Sequence, residues 1–271
     1  MLAARHRQIF LPLAIAALCG VMSACSSIPT TWLPDAWSPS PGSPNSWLPS
    51  DPSGPAARAA MAVGNPLRTD QDRRMDPSRR PWEFVPLTQV KPGMQVLDVA
   101  AGGGYTAQLL AVAVGPSGKV WAQAPKPGAT LTRRLADKPQ PNLVIVERPF
   151  EDPVPEGVSM LDLVTIVLNY HDISYLPVDR TKMNARLFAA LKPGGRLVII
   201  DHAARSGTGI ADGKTLHRIE KDFVINEVQQ AGFALDADAA YLRNADDARD
   251  QSSNDVKVPS DKFALRFVKP K

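Results

Sequence analysis

Residues 95–110 read QVLDVAAGGGYTAQLL: an apolar run closing on an aspartate, three consecutive glycines, then apolar residues at helical spacing. A short run dominated by Val and Leu suits a strand covered on both faces. The glycines fall at the strand-to-helix join, where the lack of a side chain admits positive φ and lets a ligand approach the backbone. The alternation continues downstream. Residues 119–123, 143–146, 161–168 and 196–201 are further runs of Val, Ile and Leu, and between the runs lie 105–114, 130–137 and 180–191 with apolar residues at helical spacing. Repeated strand, helix, strand units require right-handed crossovers and a parallel sheet. A helix is expected over 219–231 with Gly232 at its C-cap, then strands over 233–242 and 262–268 that supply an antiparallel edge hairpin. The expected fold is α/β, a doubly wound, mostly parallel seven-stranded sheet with that hairpin at its C-terminal edge.

The chain begins quite differently. Arg5 and Arg7 precede the apolar stretch 9–18, and the small residues Ser23 and Ala24 stand before Cys25. This is the layout of a secretory signal, too short for a membrane span. VMSAC resembles the lipobox of bacterial lipoproteins, which implies cleavage before Cys25 and lipidation of that residue. The other cysteine, Cys19, lies in the removed segment, so no disulfide or cysteine metal site is expected. Residues 26–55 are rich in proline and serine, without helical or strand period, and read as a disordered tether. The organisation expected is a lipoprotein-type signal peptide at 1–24, a Pro/Ser-rich tether at 25–55 and one domain at 56–271. The placement implied is the cell envelope, lipid-anchored on the periplasmic face of the outer membrane.

Hydrophobic residues make up 44% of the chain and charged ones 21%, enough for a packed core. The net charge of +4 is dispersed or neighboured by acids, as in DQDRRMDPSRR, and no basic run is interleaved with aromatics. Nucleic acid is therefore not an expected partner. A small molecule or an envelope component is.

DVAAGGG resembles the DxGxGxG turn of class I S-adenosylmethionine-dependent methyltransferases, with Asp98, Gly102 and Gly104 matching and Ala100 in place of the first glycine. LKPGGRLVIIDH (191–202) resembles that family's turn into its fifth strand, LDLVTIVLNYHDI (161–173) its fourth strand, and EVQQAGFAL (227–235) its last helix and turn. The chain is also similar to a bacterial group within the family that shares R-x-x-D-x-x-R (here Arg73, Asp76, Arg79), GGGYT, LNYHD, DH and HR. The resemblance implies a Rossmann-like fold, S-adenosylmethionine as cofactor, and a cofactor site of Asp98, Gly102, Gly103, Gly104, Tyr105 and Asn169. At the end of the second strand, where the family has an acid for the ribose hydroxyls, stands Gln123. It is the expected substitute, with Asp152 of the Glu151-Asp152 pair on the adenine.

Of four histidines, His6 leaves with the signal. His171, His202 and His217 all fall after strands or in loops at the carboxyl edge of the sheet, where ligands bind in such folds. Two chemistries fit. In the first, His171 is a general base oriented by Asp172 or Asp201, with His202 beside it, and Arg79, Arg80, His217 and Arg218 bind the acceptor. In the second, His171, His202 and a neighbouring carboxylate hold zinc or manganese. The metal-free assignment is the one adopted. The functional expectation is an envelope-anchored methyltransferase of unnamed acceptor. The alternatives are a non-catalytic ligand-binding module on the same fold and, more remotely, a metal-dependent hydrolase.

Overall fold

The computed structural model describes residues 53–271, so the signal, Cys25 and nearly all of the tether lie outside the described residues. Three helices come first: α1 (Pro55–Val63), α2 (Asp70–Arg79) and α3 (Pro81–Thr88). The alternating body follows as β1 (Gln95–Val99), α4 (Tyr105–Val114), β2 (Lys119–Ala124), α5 (Ala129–Asp137), β3 (Leu143–Glu147) and β4 (Leu161–Val167). It continues through α6 (Tyr170–Tyr175), α7 (Arg180–Ala190), β5 (Leu191–His202), α8 (Gly213–Leu216), α9 (Lys221–Gln230), β6 (Ala234–Ala239) and β7 (Lys262–Val268). All seven expected strands form. The described residues contain no helix long and apolar enough to cross a membrane.

The strand order is β3-β2-β1-β4-β5-β7-β6. The first five strands pair in parallel, and β7 inserts antiparallel between β5 and β6. The crevice of such a sheet lies between β1 and β4, where the winding reverses, so the ends of those strands place the site. Alternate residues feed two cores. Val96, Val120, Leu163, Val198 and Ile200 face α1, α3 and α4, while Leu97, Val99, Val164, Ile166, Leu197 and Ile199 face the layer of α6, α7 and α9. The residues 191–195, expected as a turn, are absorbed into β5. Its register with β4 jumps from Leu161↔Leu191 to Leu163↔Arg196, an irregularity that accommodates Pro193 and two glycines.

Helix α2 has almost no apolar face; its sequence is DQDRRMDPSR. It is set by its start, where Thr69 and Asp72 form a reciprocal capping box: the Asp72 N–H donates to Thr69 Oγ1 at 3.1 Å and the Thr69 N–H to Asp72 Oδ2 at 2.8 Å. Arg80 ends α2 in a left-handed conformation, φ 48°, and Pro81 starts α3 at once.

Candidate active site at the carboxyl edge of the sheet

Beyond β1 the chain folds back with Ala100, Gly102 and Gly104 at φ 56°, 54° and 84°. A side-chain-bearing residue in that region costs about 1–2 kcal/mol. At Ala100, Gln123 holds it there: the Ala100 N–H donates to Gln123 Oε1 at 3.1 Å and the Ala101 N–H to the Gln123 carbonyl at 2.9 Å. The other end of the buried carboxamide donates to the Arg148 carbonyl at 2.6 Å. Gln123 thus braces the turn from within, which corrects its expected placement against a ribose. Asp152 is likewise engaged elsewhere, ion-paired with Arg148 and with Arg186 at 2.8 Å, and does not wall the cavity described next.

A cavity of about 440 Å³ opens under the turn, walled by Asp98, Gly102, Gly103, Tyr105 and Asn169 on the sheet side and by Asp72, Arg79 and Arg134 of α2 and α5 on the other. Its size suits a small ligand. Asp98 is buried; its Oδ1 accepts from the Thr165 hydroxyl at 2.6 Å, whereas Oδ2 has no hydrogen-bond partner. Burial, opposed by the Thr165 bond, the Ala107 backbone N–H and Arg79, pushes its carboxyl up to about 7. A Cβ on Gly102 would meet only the Ala100 carbonyl, at 3.9 Å, so that side is open. On Gly104 it would fall 2.7 Å from Leu131 Cδ1. Gly104 therefore serves the packing of α5 on the turn. Asn169 is fixed by donation to the Ala100 and Val167 carbonyls at 3.2 and 2.9 Å.

The α2 wall is tied down at two carboxylates. Asp72 and Arg134 form a buried bidentate pair at 2.7 and 2.8 Å, and Arg134 Nε also donates to the Gly103 carbonyl at 2.8 Å. Asp76 accepts from Arg68 and, at 2.6 Å, from the Tyr105 hydroxyl. Neither Asp72 nor Arg134 was singled out from sequence; the Thr-x-x-Asp spacing at 69–72 was the signal available. Arg79, the last residue of the R-x-x-D-x-x-R pattern, lies over the Tyr105 ring at 5.7 Å with no ion pair or hydrogen bond among the described residues, and burial lowers its pKa. Beside it a smaller recess includes Lys262, whose pKa burial and Arg79 also lower.

The other two arginines expected at the acceptor are elsewhere. Arg80 pairs with Glu83 and donates to the Tyr241 carbonyl at the α2–α3 junction. Arg218 is fully buried, paired with Asp247 at 2.8 Å and donating to the Ala203 and Gln251 carbonyls. Arg218 is a correction, since its donors bind protein in the interior; Arg80 remains half-exposed.

The three histidines do converge. The ring centroid of His171 lies 5.9 Å from that of His202 and 5.6 Å from that of His217. Asp201, fully buried at the end of β5, accepts from His171 Nδ1 at 2.6 Å, from the His171 N–H at 2.8 Å and from the His202 N–H at 2.7 Å. His171 Nε2 faces Asp172 Oδ1 at 3.3 Å. Burial opposes the charged ring, but Asp172 and Asp201 prevail and raise His171 to about 10. The two carboxylates favour the doubly protonated ring, which works against the expected general-base role of His171. His202 is the opposite case: burial, then the charges of Lys262 and His171, push it down to about 2, and the neutral ring pairs with Ser260 Oγ at 2.8 Å.

The strand order, the antiparallel seventh strand and the glycine turn at the switch point define the Rossmann-like fold of class I methyltransferases. Solved structures agree on that fold. A methyltransferase from Aquifex aeolicus described as SAM-dependent superposes with a TM-score of 0.54 at 20% identity, covering 74% of this chain and 100% of that one. An arsenic(III) S-adenosylmethionine methyltransferase from Chlamydomonas reinhardtii gives 0.51 at 16% identity, over 80% and 75%. No family model matches the chain. Among curated proteins, it is 30% identical over 121 residues to a demethylmenaquinone methyltransferase of Symbiobacterium thermophilum, 44% of this chain and 47% of that protein. It is 31% identical over 130 residues to a ubiquinone/menaquinone biosynthesis C-methyltransferase of Burkholderia multivorans, 45% and 49%. The chain thus spans about half the length of the curated relatives it matches.

Proposed function

We propose that the domain is an S-adenosylmethionine-dependent methyltransferase acting on a small anionic acceptor rather than on nucleic acid, and that Cys25 anchors the chain by lipid in the cell envelope. The observation that carries the cofactor reading is the unpartnered Oδ2 of Asp98. A buried acceptor without a donor is costly, and one on a residue that lines a cavity under a glycine turn fits an ammonium such as that of a methionine moiety. The open side of Gly102 supplies the close backbone approach.

When bound, the cofactor supplies an electrophilic sulfonium methyl. The chain's own residues bind and orient. Asn169 and the turn form one wall, and α2 the other. Arg79, which feels Asp98 and Asp201 but is directly paired with no carboxylate among the described residues, offers a fork to an acceptor carboxylate, phosphate or enolate and holds it for in-line attack. The anchor reading rests on the sequence around Cys25 alone.

One observation favours the second reading, a non-catalytic binding module: the end of β2 carries glutamine in place of a carboxylate, and the carboxamide of Gln123 is turned inward, away from a ribose. Calorimetry of the purified chain with S-adenosylmethionine and S-adenosylhomocysteine tests the proposal. Micromolar or tighter binding of both is expected. Absence of binding to either sinks the enzyme reading in favour of the module.

A further inference from the structure

We propose that His171, Asp172 and His217 form a site for one divalent transition metal ion, zinc by preference, with open positions toward solvent. Candidate ligand atoms of the three residues lie within 4.8 Å of one another. In a tetrahedral zinc site with bonds of about 2.0–2.1 Å, neighbouring donor atoms are about 3.3 Å apart. Asp172 Oδ1 lies 3.3 Å from His171 Nε2 and 3.5 Å from His217 Nδ1, so two edges of the tetrahedron are already at that length. The remaining edge closes by rotation of His217, which is half-exposed. Two imidazoles and one carboxylate are a donor set suited to zinc and its first-row neighbours, and three protein ligands leave room for water or an oxygen of a substrate.

The support behind this set is what distinguishes it from a chance meeting of polar side chains. A metal-bound histidine characteristically donates its other ring nitrogen to a carboxylate, which fixes the tautomer and aims the free nitrogen. Asp201 does this to His171: the buried carboxylate takes Nδ1–H and is itself held by two backbone N–H groups, leaving Nε2 pointed at Asp172. The backbone also gathers the third ligand. A Cβ on Gly213 would stand 2.8 Å from Ser174 Oγ and 3.1 Å from the His171 carbonyl, so the glycine lets α8 press against α6. At the end of α8, His217 takes φ 51°, an unfavourable conformation for a residue with a side chain, and so brings its ring to the other two. Asp172 and Asp201 together supply two negative charges, matching a divalent ion; the proton on His171 Nε2 leaves to solvent as the metal enters.

The proposal does not depend on the methyltransferase reading, because it is tested by metal content. Untagged full-length chain is dialysed against zinc, and the bound metal is measured. One equivalent per chain is expected, together with an intense visible spectrum of low symmetry when cobalt replaces zinc. His217→Ala and Asp172→Asn, both at half-exposed positions, should lose the equivalent while melting in metal-free buffer as the unmutated chain does. Asp201→Asn should weaken binding about 10- to 100-fold. No stoichiometric zinc, or undiminished zinc in either His217→Ala or Asp172→Asn, overturns the site. Should the variants unfold, a cobalt spectrum of the unmutated chain identical to that of cobalt in buffer overturns it as well.

Discussion

Gln123 Oε1 lies 3.1 Å from the Ala100 nitrogen, so the end of β2 holds the one non-glycine residue that opens the turn with a left-handed angle. Restoring an acid here therefore does not restore a ribose ligand. In Gln123→Glu a carboxylate oxygen replaces the donor to the Arg148 carbonyl and leaves two acceptors facing each other. The variant should lose about 1–3 kcal/mol of stability in urea denaturation and gain no cofactor affinity. Tighter binding at unchanged stability would refute the bracing role.

The glycines of the turn separate into two kinds. Gly102→Ala meets open space and should leave a folded chain, destabilised by no more than about 1–2 kcal/mol for its left-handed angle, in which calorimetry finds cofactor binding abolished. Gly104→Val drives a side chain onto Leu131 and should chiefly lower the melting temperature. Equal loss of binding at equal stability in both would merge the two roles.

Asp98 predicts a pH dependence. Its folded carboxyl titrates near 7, whereas an unfolded one does so near 4, so the folded state holds a proton over the interval in which the unfolded state has released it. The stability Asp98 contributes is therefore complete below about pH 4 and is lost as pH rises through about 7. Melting temperatures of the ligand-free chain across that interval should fall less steeply in Asp98→Asn than in the unmutated chain. Parallel slopes would contradict the assignment.

Arg218 predicts a purely structural phenotype. Its removal strands Asp247 and two carbonyls in the interior, so Arg218→Met should cost about 3–5 kcal/mol, read as a lower denaturation midpoint. A shift below 1 kcal/mol would remove the structural role of Arg218.

The anchor prediction lies outside the described residues. Metabolic labelling with a fatty acid should mark the unmutated chain and not Cys25→Ser. Absence of label on the unmutated chain would remove the lipid attachment.

The strands and the turn were legible because their signals are local. Val and Leu runs and a glycine triplet carry their meaning within about ten residues, and β1, α4 and β7 match their expected bounds. The histidine edge was legible for a related reason: position after a parallel strand is a topological fact that fixes which end of the sheet a residue occupies. Partner choice was not legible. Arg79, Arg80 and Arg218 look alike in sequence. One faces a cavity, one pairs with Glu83 three residues on, and one is buried against Asp247, 29 residues away. The same holds for Gln123, whose partner Arg148 lies 25 residues on, just after β3. Helix α2 escaped notice because its determinants are a cap and the long-range pair Asp72–Arg134, not an apolar stripe.

Those ties on α2 bear on the thermodynamics of recognition. A cap that orders only when its ligand arrives loses conformational entropy at that moment and buries fresh surface, giving a large negative heat-capacity change. Here Thr69, Asp72 and Asp76 fasten α2 to α5 and Tyr105 through the chain's own side chains, with no ligand atom among the ties. The ordering is completed during folding, so ligand capture should show a small heat-capacity change and an entropy term close to that of desolvation alone.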